Sequence, residues 1–160
     1  MTRWRRLIVL SAAALAVGFV SCGGDSRDPA AHATNEAIDF GEPDVPEAAD
    51  RAVRVTALDA LAFSPAHIAV AKGETIRFEV TNTGEIRHEF VIGDVDFQRA
   101  HEREMTSGDM SMEHEGNTLV LDPGQTGSLA WTFTQAGEVL YGCHEPGHYD
   151  GGMVGTIQVT

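Results

Sequence analysis

A short segment near the C-terminus, C-H-E-P-G-H-Y-D-G-G-M, carries three side chains that commonly bind metals. It places Cys143, His148 and Met153 at intervals of five residues. A thiolate, an imidazole and a thioether are soft to borderline ligands, which suit copper better than any hard cation. A second imidazole, that of His88, stands in T-N-T-G-E-I-R-H-E-F, where one predicted strand gives way to the next. Two His and one Cys with a weak axial Met describe an electron-transfer copper site, so the sequence predicts one type 1 copper held by these four residues.

These ligands need a rigid frame, and residues 52–160 predict one made of short strands. Alternating apolar residues, as at Ile76, Phe78 and Val80, indicate strands with one buried face. Seven or eight such strands, separated by turn residues, predict an all-β fold, a Greek-key β-sandwich. Only the stretch around residues 95–106, which includes D-F-Q-R-A-H-E-R-E-M, favours a short helix or loop insert between the sheets.

The insert between His88 and Cys143 carries further soft ligands. They are His101, Met105, Met110, Met112 and His114. The first two lie on one face of a helix, because they are four residues apart. Thioethers with imidazoles select Cu(I), so one interpretation is a second, weakly bound copper or a docking loop for a copper donor. The other is that the methionines cover the core and the histidines are solvated; the sequence leaves both open.

The N-terminus has the features of an export signal. Three arginines among the first six residues precede an apolar and small-residue run of 14 residues, Leu7 to Val20. The run is shorter than the roughly 20 residues that span a bilayer, and it predicts a signal peptide over residues 1–21. Cys22 comes next and resembles a bacterial lipoprotein cleavage site, which implies lipidation there and a membrane-anchored protein facing the periplasm or the cell exterior. Simple secretion and a retained anchor are the alternatives. Residues 22–51 are rich in acids and proline and predict a flexible acidic tether.

The net charge, the two cysteines and the absence of common catalytic motifs exclude several classes of function. The formal net charge is −13, and removing residues 1–21 leaves 8 basic and 24 acidic residues, a net charge of −16. Such an acidic surface argues against nucleic-acid binding, and it suits either simple solvation or docking to a basic partner. With Cys22 lipidated and Cys143 bound to metal, no disulfide is expected. The sequence has no Ser/His/Asp set, phosphate-binding glycine loop or H-E-x-x-H motif, so we expect a monomeric protein that is not an enzyme.

On these residues, the segment 52–160 resembles the cupredoxins of the plastocyanin and azurin family. The resemblance assigns the copper ligands to His88, Cys143, His148 and Met153, and the C-x4-H-x4-M spacing is similar to rusticyanin-like members. H-E-F-V-I-G-D, the Met/His insert and P-G-H-Y-D-G-G-M-V-G are similar to periplasmic copper-tolerance cupredoxins of bacteria. It implies either an electron carrier that docks to a redox partner protein, or a copper-tolerance protein. The latter would sequester or oxidise Cu(I) and exchange copper with a donor or acceptor protein.

Overall fold

The fold is built from ten strands and one α-helix among the residues that the structure describes. The structure is a computed structural model, and it describes residues 40–107 and 116–160. In chain order the elements are β1 Glu42–Asp44, a 3-10 turn Pro46–Ala48, β2 Arg51–Leu58, β3 Ala62–Ser64, β4 His67–Val70, β5 Thr75–Asn82, β6 His88–Gly93, α1 Val95–Ser107, β7 Thr118–Leu121, β8 Thr126–Thr132, β9 Gly137–Gly142 and β10 Val154–Val159. In these ranges, no helix has the length and apolar character needed to cross a membrane.

The strands form two five-stranded sheets that face each other, as the sequence predicted. One sheet has the order β1-β8-β5-β2-β3 and the other β4-β10-β9-β6-β7. The predicted alternation in β5 is confirmed, since Ile76, Phe78 and Val80 are all fully buried. Phe78 meets Phe90 of the opposite sheet with ring centroids 5.4 Å apart, so the core lies between the two inner faces.

Strand β6 is buried on both faces, which is unusual for a sheet that faces solvent on its outer side. All six of its residues are buried. One set, including His88 and Phe90, faces the core, and the alternate set, including Glu89 and Val91, faces the other way. Helix α1 follows β6 directly and covers that outer face: the side chain of Gln98 donates to the Val91 carbonyl over 2.7 Å. The helix predicted around residues 95–106 is therefore confirmed.

The strand count exceeds the seven or eight that the sequence predicted, for two local reasons. The segment L-A-F-S-P-A-H-I-A-V forms two strands, because Pro65 has no N–H to donate between them, and β3 and β4 join different sheets. Strand β1 lies within the predicted tether and pairs antiparallel with β8, Pro43 opposite Trp131. Phe40 is 4% exposed and stacks on Trp131 with ring centroids 5.4 Å apart. The sandwich thus begins before residue 52, because an isolated aromatic residue anchors this acidic segment to the core.

Candidate metal centre

The predicted metal-binding residues meet where three neighbouring strands, β6, β9 and β10, have their ends on the same side of one sheet. His88 is the first residue of β6, Cys143 follows the last residue of β9, and Met153 precedes β10. Gly142 of β9 lies opposite Val154 of β10 on one side and Val91 of β6 on the other. The register therefore brings residues from positions 88, 143 and 153 to one end of the sandwich, and the loop 143–153 closes over it.

The side chains of His88, Cys143 and His148 point toward one another. Their ligand atoms all lie within 4.8 Å, and these are the residues that form such a cluster in the described part of the chain. The Cys143 Sγ is 3.2 Å from Nδ1 of His148 and 3.9 Å from Nδ1 of His88. His88 and Cys143 are fully buried, whereas His148 is half-buried. Three of the four predicted ligands are thus arranged around one point, with one imidazole edge near solvent.

Backbone hydrogen bonds hold the ligand loop in place. The amide of Cys143 donates to the Met153 carbonyl over 3.1 Å, and the amide of Met153 donates to the His148 carbonyl over 3.0 Å. The amide of Glu89 donates to the Cys143 sulfur over 3.2 Å, which ties the loop to β6. An ion pair between Arg87 and Glu145 makes a second link between the loop and the segment that carries His88. The donors are therefore positioned before any metal binds.

The electrostatics of the cluster suit a cation. Burial raises the pKa of the Cys143 thiol to about 11, even though the amides of Glu89 and Glu145 act to lower it. Burial and the neighbouring His88 lower the pKa of His148. Without a nearby positive charge, burial favours the neutral form of each group: the thiol keeps its proton and the imidazole loses it. A bound metal would replace the thiol proton, and a thiolate with two imidazoles is a set that copper accepts.

Met153 is fully buried and belongs, like Cys143, to the hydrophobic core cluster. Its backbone closes the ligand loop, so the residue lies beside the metal-binding cluster. A thioether in this position suits the weak axial ligand of a blue-copper site. Its role as that ligand stays a prediction.

The second predicted copper site is only partly described. His101 is fully buried and Met105 is half-buried on α1, where the two are one helical turn apart. The remaining members, Met110, Met112 and His114, lie outside the described residues, as does Cys22. A second copper held by this set therefore stays a prediction.

Sequence reasoning missed a buried polar network on the far side of β6 and β9. It consists of Glu89, Gln98, His101, Glu102 and His144. The His144 ring contacts Glu102 at 2.7 Å through Nδ1 and Gln98 at 2.6 Å through Nε2. The rings of His101 and His144 are edge to face with centroids 4.6 Å apart, and His101 Nε2 is 3.6 Å from a Glu89 oxygen. The sequence signal was available: two polar residues, Glu89 within β6 and His144 just after β9, each directly follow a predicted ligand and so face the opposite side of the sheet.

A two-sheet sandwich with a His, Cys, His cluster and a buried Met at one end defines a small copper protein of the cupredoxin class. A family model described as copper binding proteins, plastocyanin/azurin family, matches residues 49–160. The copper-resistant cuproprotein CopI of Rubrivivax gelatinosus is 37% identical over 134 residues, which is 84% of this chain and 81% of that protein. CopI of Pseudomonas aeruginosa is 32% identical over an alignment of 184 residues, with 97% of each chain covered.

Solved structures agree with this fold. Auracyanin B superposes with a TM-score of 0.63 at 27% identity, covering 76% of this chain and 96% of its own. A reduced auracyanin of Roseiflexus castenholzii, at 24% identity and a TM-score of 0.62, covers 70% of this chain and 98% of its own and shows the shared fold. The chain belongs to the plastocyanin/azurin family of copper-binding proteins. Copper is therefore its cofactor, and one-electron redox chemistry is what the metal supplies when bound.

Proposed function

We propose that this protein provides copper tolerance outside the cytoplasm by oxidising Cu(I) at its type 1 centre. The observation that carries the proposal is the position of helix α1, which begins the Met/His insert. The His101 ring on this helix lies 4.6 Å from the ring of His144, the residue bonded to Cys143. The insert thus starts against the back of the copper loop, where a bound Cu(I) substrate would be close to the type 1 ligands. That relatives at 32–37% identity are named copper-resistant cuproproteins supports this role.

In this proposal, one group of residues binds the Cu(I) substrate and another holds the copper that accepts its electron. Thioethers and imidazoles of the insert, Met105 among them, hold the Cu(I) substrate as soft ligands. His88, Cys143 and His148 would hold a copper that could accept one electron from this substrate, which would become Cu(II). The half-buried edge of His148 would then give a redox partner protein access for taking up that electron. The protein stores and passes electrons one at a time and does not transform an organic substrate.

The proposal extends to cellular location. A signal peptide over residues 1–21 and a lipid on Cys22 would keep the domain at the membrane surface, on the side where external copper arrives. Residues between Cys22 and Phe40 would tether it, and the acidic exterior would favour a monomer that stays soluble and meets basic partner surfaces. Copper donor or acceptor proteins are the partners that fit this arrangement, and nucleic acid does not.

A second candidate function is that of a plain electron carrier. The observation that favours it is the exposure of the site: His148 is half-buried, and Pro146 and Gly147 beside it are exposed. This edge gives a redox partner access to one copper ligand without the insert. Under this alternative, the methionines of the insert have a structural role only.

Copper stoichiometry separates the two candidates. The exported domain is loaded anaerobically with Cu(I) and then reoxidised, and copper content is read with the visible spectrum. We expect more than one copper in the wild type, with the extra copper lost when Met105, Met110 and Met112 are changed together to Leu. His67→Ala is the control, because this exposed histidine on β4 contacts Thr156 and lies outside both sites. One copper in every variant would instead assign the protein to electron transport.

The oxidation step has its own readout. Adding one equivalent of Cu(I) to protein that carries oxidised type 1 copper should bleach the thiolate-to-copper band, and a redox acceptor should restore it. The triple Met variant should bleach more slowly than the His67→Ala control. Equal bleaching rates would show that Cu(I) reaches the centre without help from the insert.

A further inference from the structure

The copper ligand His88 has a carboxylate on its other side. Its Nδ1 faces the Cys143 sulfur, and its Nε2 lies 3.2 Å from Oδ1 of Asp59. Asp59 directly follows β2, so it comes from the opposite sheet, 29 residues before His88 in the chain. The two nitrogens of this fully buried ring therefore face different partners: Nδ1 faces the metal centre and Nε2 faces the Asp59 carboxylate.

The chain segment before His88 is shaped to receive this carboxylate. The Glu85 amide donates to Oδ2 of Asp59 over 2.7 Å, and the Ile86 amide reaches Oδ1 at 3.5 Å. Gly84 makes room for it: a Cβ built on Gly84 would lie 1.8 Å from Asp59 Oδ1, far inside contact distance. Any other residue at position 84 would force the carboxylate or the turn to move.

The buried side-chain amide of Asn82 fixes the turn whose backbone amides bind Asp59. Asn82 is fully buried, and its side chain accepts from the Gly84 amide over 2.9 Å. The same side chain donates to the Ile86 carbonyl over 2.7 Å and to the Leu121 carbonyl over 3.0 Å. The turn from Asn82 to His88 is therefore locked to β7, and with it the amides that hold Asp59.

We infer that Asp59 is a positioning residue for the copper ligand His88 and that it shifts the centre toward Cu(II). A metal-binding histidine that donates its second N–H to a carboxylate is fixed in tautomer and ring orientation, and its basicity rises. The added negative charge favours the more highly charged Cu(II) over Cu(I). The Asp59 side chain is 39% exposed, so water screens part of this effect. The inference rests on the copper site and on neither of the two proposed roles.

Two variants and a matched control test the inference through the reduction potential. Asp59→Asn keeps the shape and removes the charge. Gly84→Ala keeps every charge but displaces the carboxylate. Glu85→Gln is the control, since it removes an exposed charge three residues before His88 in sequence and keeps the backbone amide that binds Asp59. Visible spectra establish that each variant still binds copper.

We expect Asp59→Asn to weaken Cu(II) binding relative to Cu(I) by about tenfold, which raises the one-electron potential by about 59 mV. Gly84→Ala should raise the potential in the same direction, and Glu85→Gln should leave it unchanged. If Asp59→Asn and Glu85→Gln raise the potential equally, the effect is long-range charge and the inference is overturned. It is also overturned if neither Asp59→Asn nor Gly84→Ala changes the potential.

A measurement on copper-free protein gives an independent readout. In the wild type, nitrogen NMR of His88 should show the tautomer with hydrogen on Nε2, because that nitrogen donates to Asp59. In Asp59→Ala the two tautomers should mix. An identical tautomer in both proteins would overturn the positioning role, whatever the potentials show.

Discussion

The Cys143 thiol should make copper affinity depend on pH well above neutrality. Copper binds the thiolate, so the thiol proton must leave whenever the metal enters. In this protein burial raises the pKa of that thiol to about 11, whereas the pKa of an ordinary thiol is 9.0. Burial and His88 lower the pKa of His148, so its proton is already gone at pH 8 and does not obscure the effect.

The size of the effect follows from the two pKa values. Between pH 8 and pH 10, a thiol with a pKa of about 11 stays mostly protonated, so the thiolate fraction and the copper affinity rise about 90-fold. This corresponds to about 2.7 kcal/mol of binding free energy, at about 1.36 kcal/mol for each pH unit. A thiol with a pKa of 9.0 would give only about tenfold, because it is half ionised by pH 9.

The assay is a competition titration with Cu(I), which does not oxidise the thiol. A chelating probe whose own affinity is constant between pH 8 and pH 10 reports the apparent affinity at each pH. Cys143→Ser is the control, and its remaining affinity should stay flat over this range. A rise near tenfold in the wild type, with about a twofold rise between pH 9 and pH 10, would refute the conclusion that burial holds the proton on Cys143.

Three further substitutions test the site and the frame. Cys143→Ser should abolish the intense charge-transfer colour while circular dichroism still shows the sandwich, because the thiolate is the source of the band; a coloured variant would remove Cys143 from the ligand set. Met153→Leu should keep the colour and raise the reduction potential, measured by redox titration, since a weak donor to Cu(II) is lost; an unchanged potential would mean that Met153 is not axial. Phe40→Ala should lower the free energy of unfolding by about 3 kcal/mol in urea, because a buried ring stacked on Trp131 is removed. A loss below about 1 kcal/mol would place Phe40 outside the cooperative core.

The sandwich and the metal-binding loop were predictable because both depend on signals that are local in sequence. Alternation at Ile76, Phe78 and Val80 reports a buried strand face without knowledge of its neighbour. The loop from Cys143 to Met153 carries three of the four predicted donors within eleven residues, and a hairpin between β9 and β10 is enough to bring them together. Only His88 is remote, and its polar character at a strand start pointed to the site.

The surroundings of the ligands were not predictable, because they depend on contacts between distant segments. Asp59 reaches His88 across two sheets, and no pattern near Asp59 distinguishes it from the many other acids of the chain. Glu102 reaches His144 over 42 residues. The start of the domain was predicted at residue 52 because the composition changes there. A single buried aromatic residue such as Phe40 hardly changes the composition of a segment, so its packing against the core was not predicted.

The arrangement of β6 and β9 couples the metal centre to helix α1. In β6 the predicted ligand His88 faces the core, while the next residue, Glu89, faces the helix; the amide of Glu89 nevertheless donates to the Cys143 sulfur. Just after β9 the predicted ligand Cys143 faces the core, while His144 faces the helix and contacts Gln98 and Glu102 there. Because close-packed interiors transmit displacements of a fraction of an ångström, a shift of α1 that moved His144 would also move the adjacent thiolate. The insert therefore contacts the residues beside the predicted copper ligands through α1, whether or not it binds copper itself. A variant of α1 that alters the visible spectrum would thus not by itself prove that a second metal is bound.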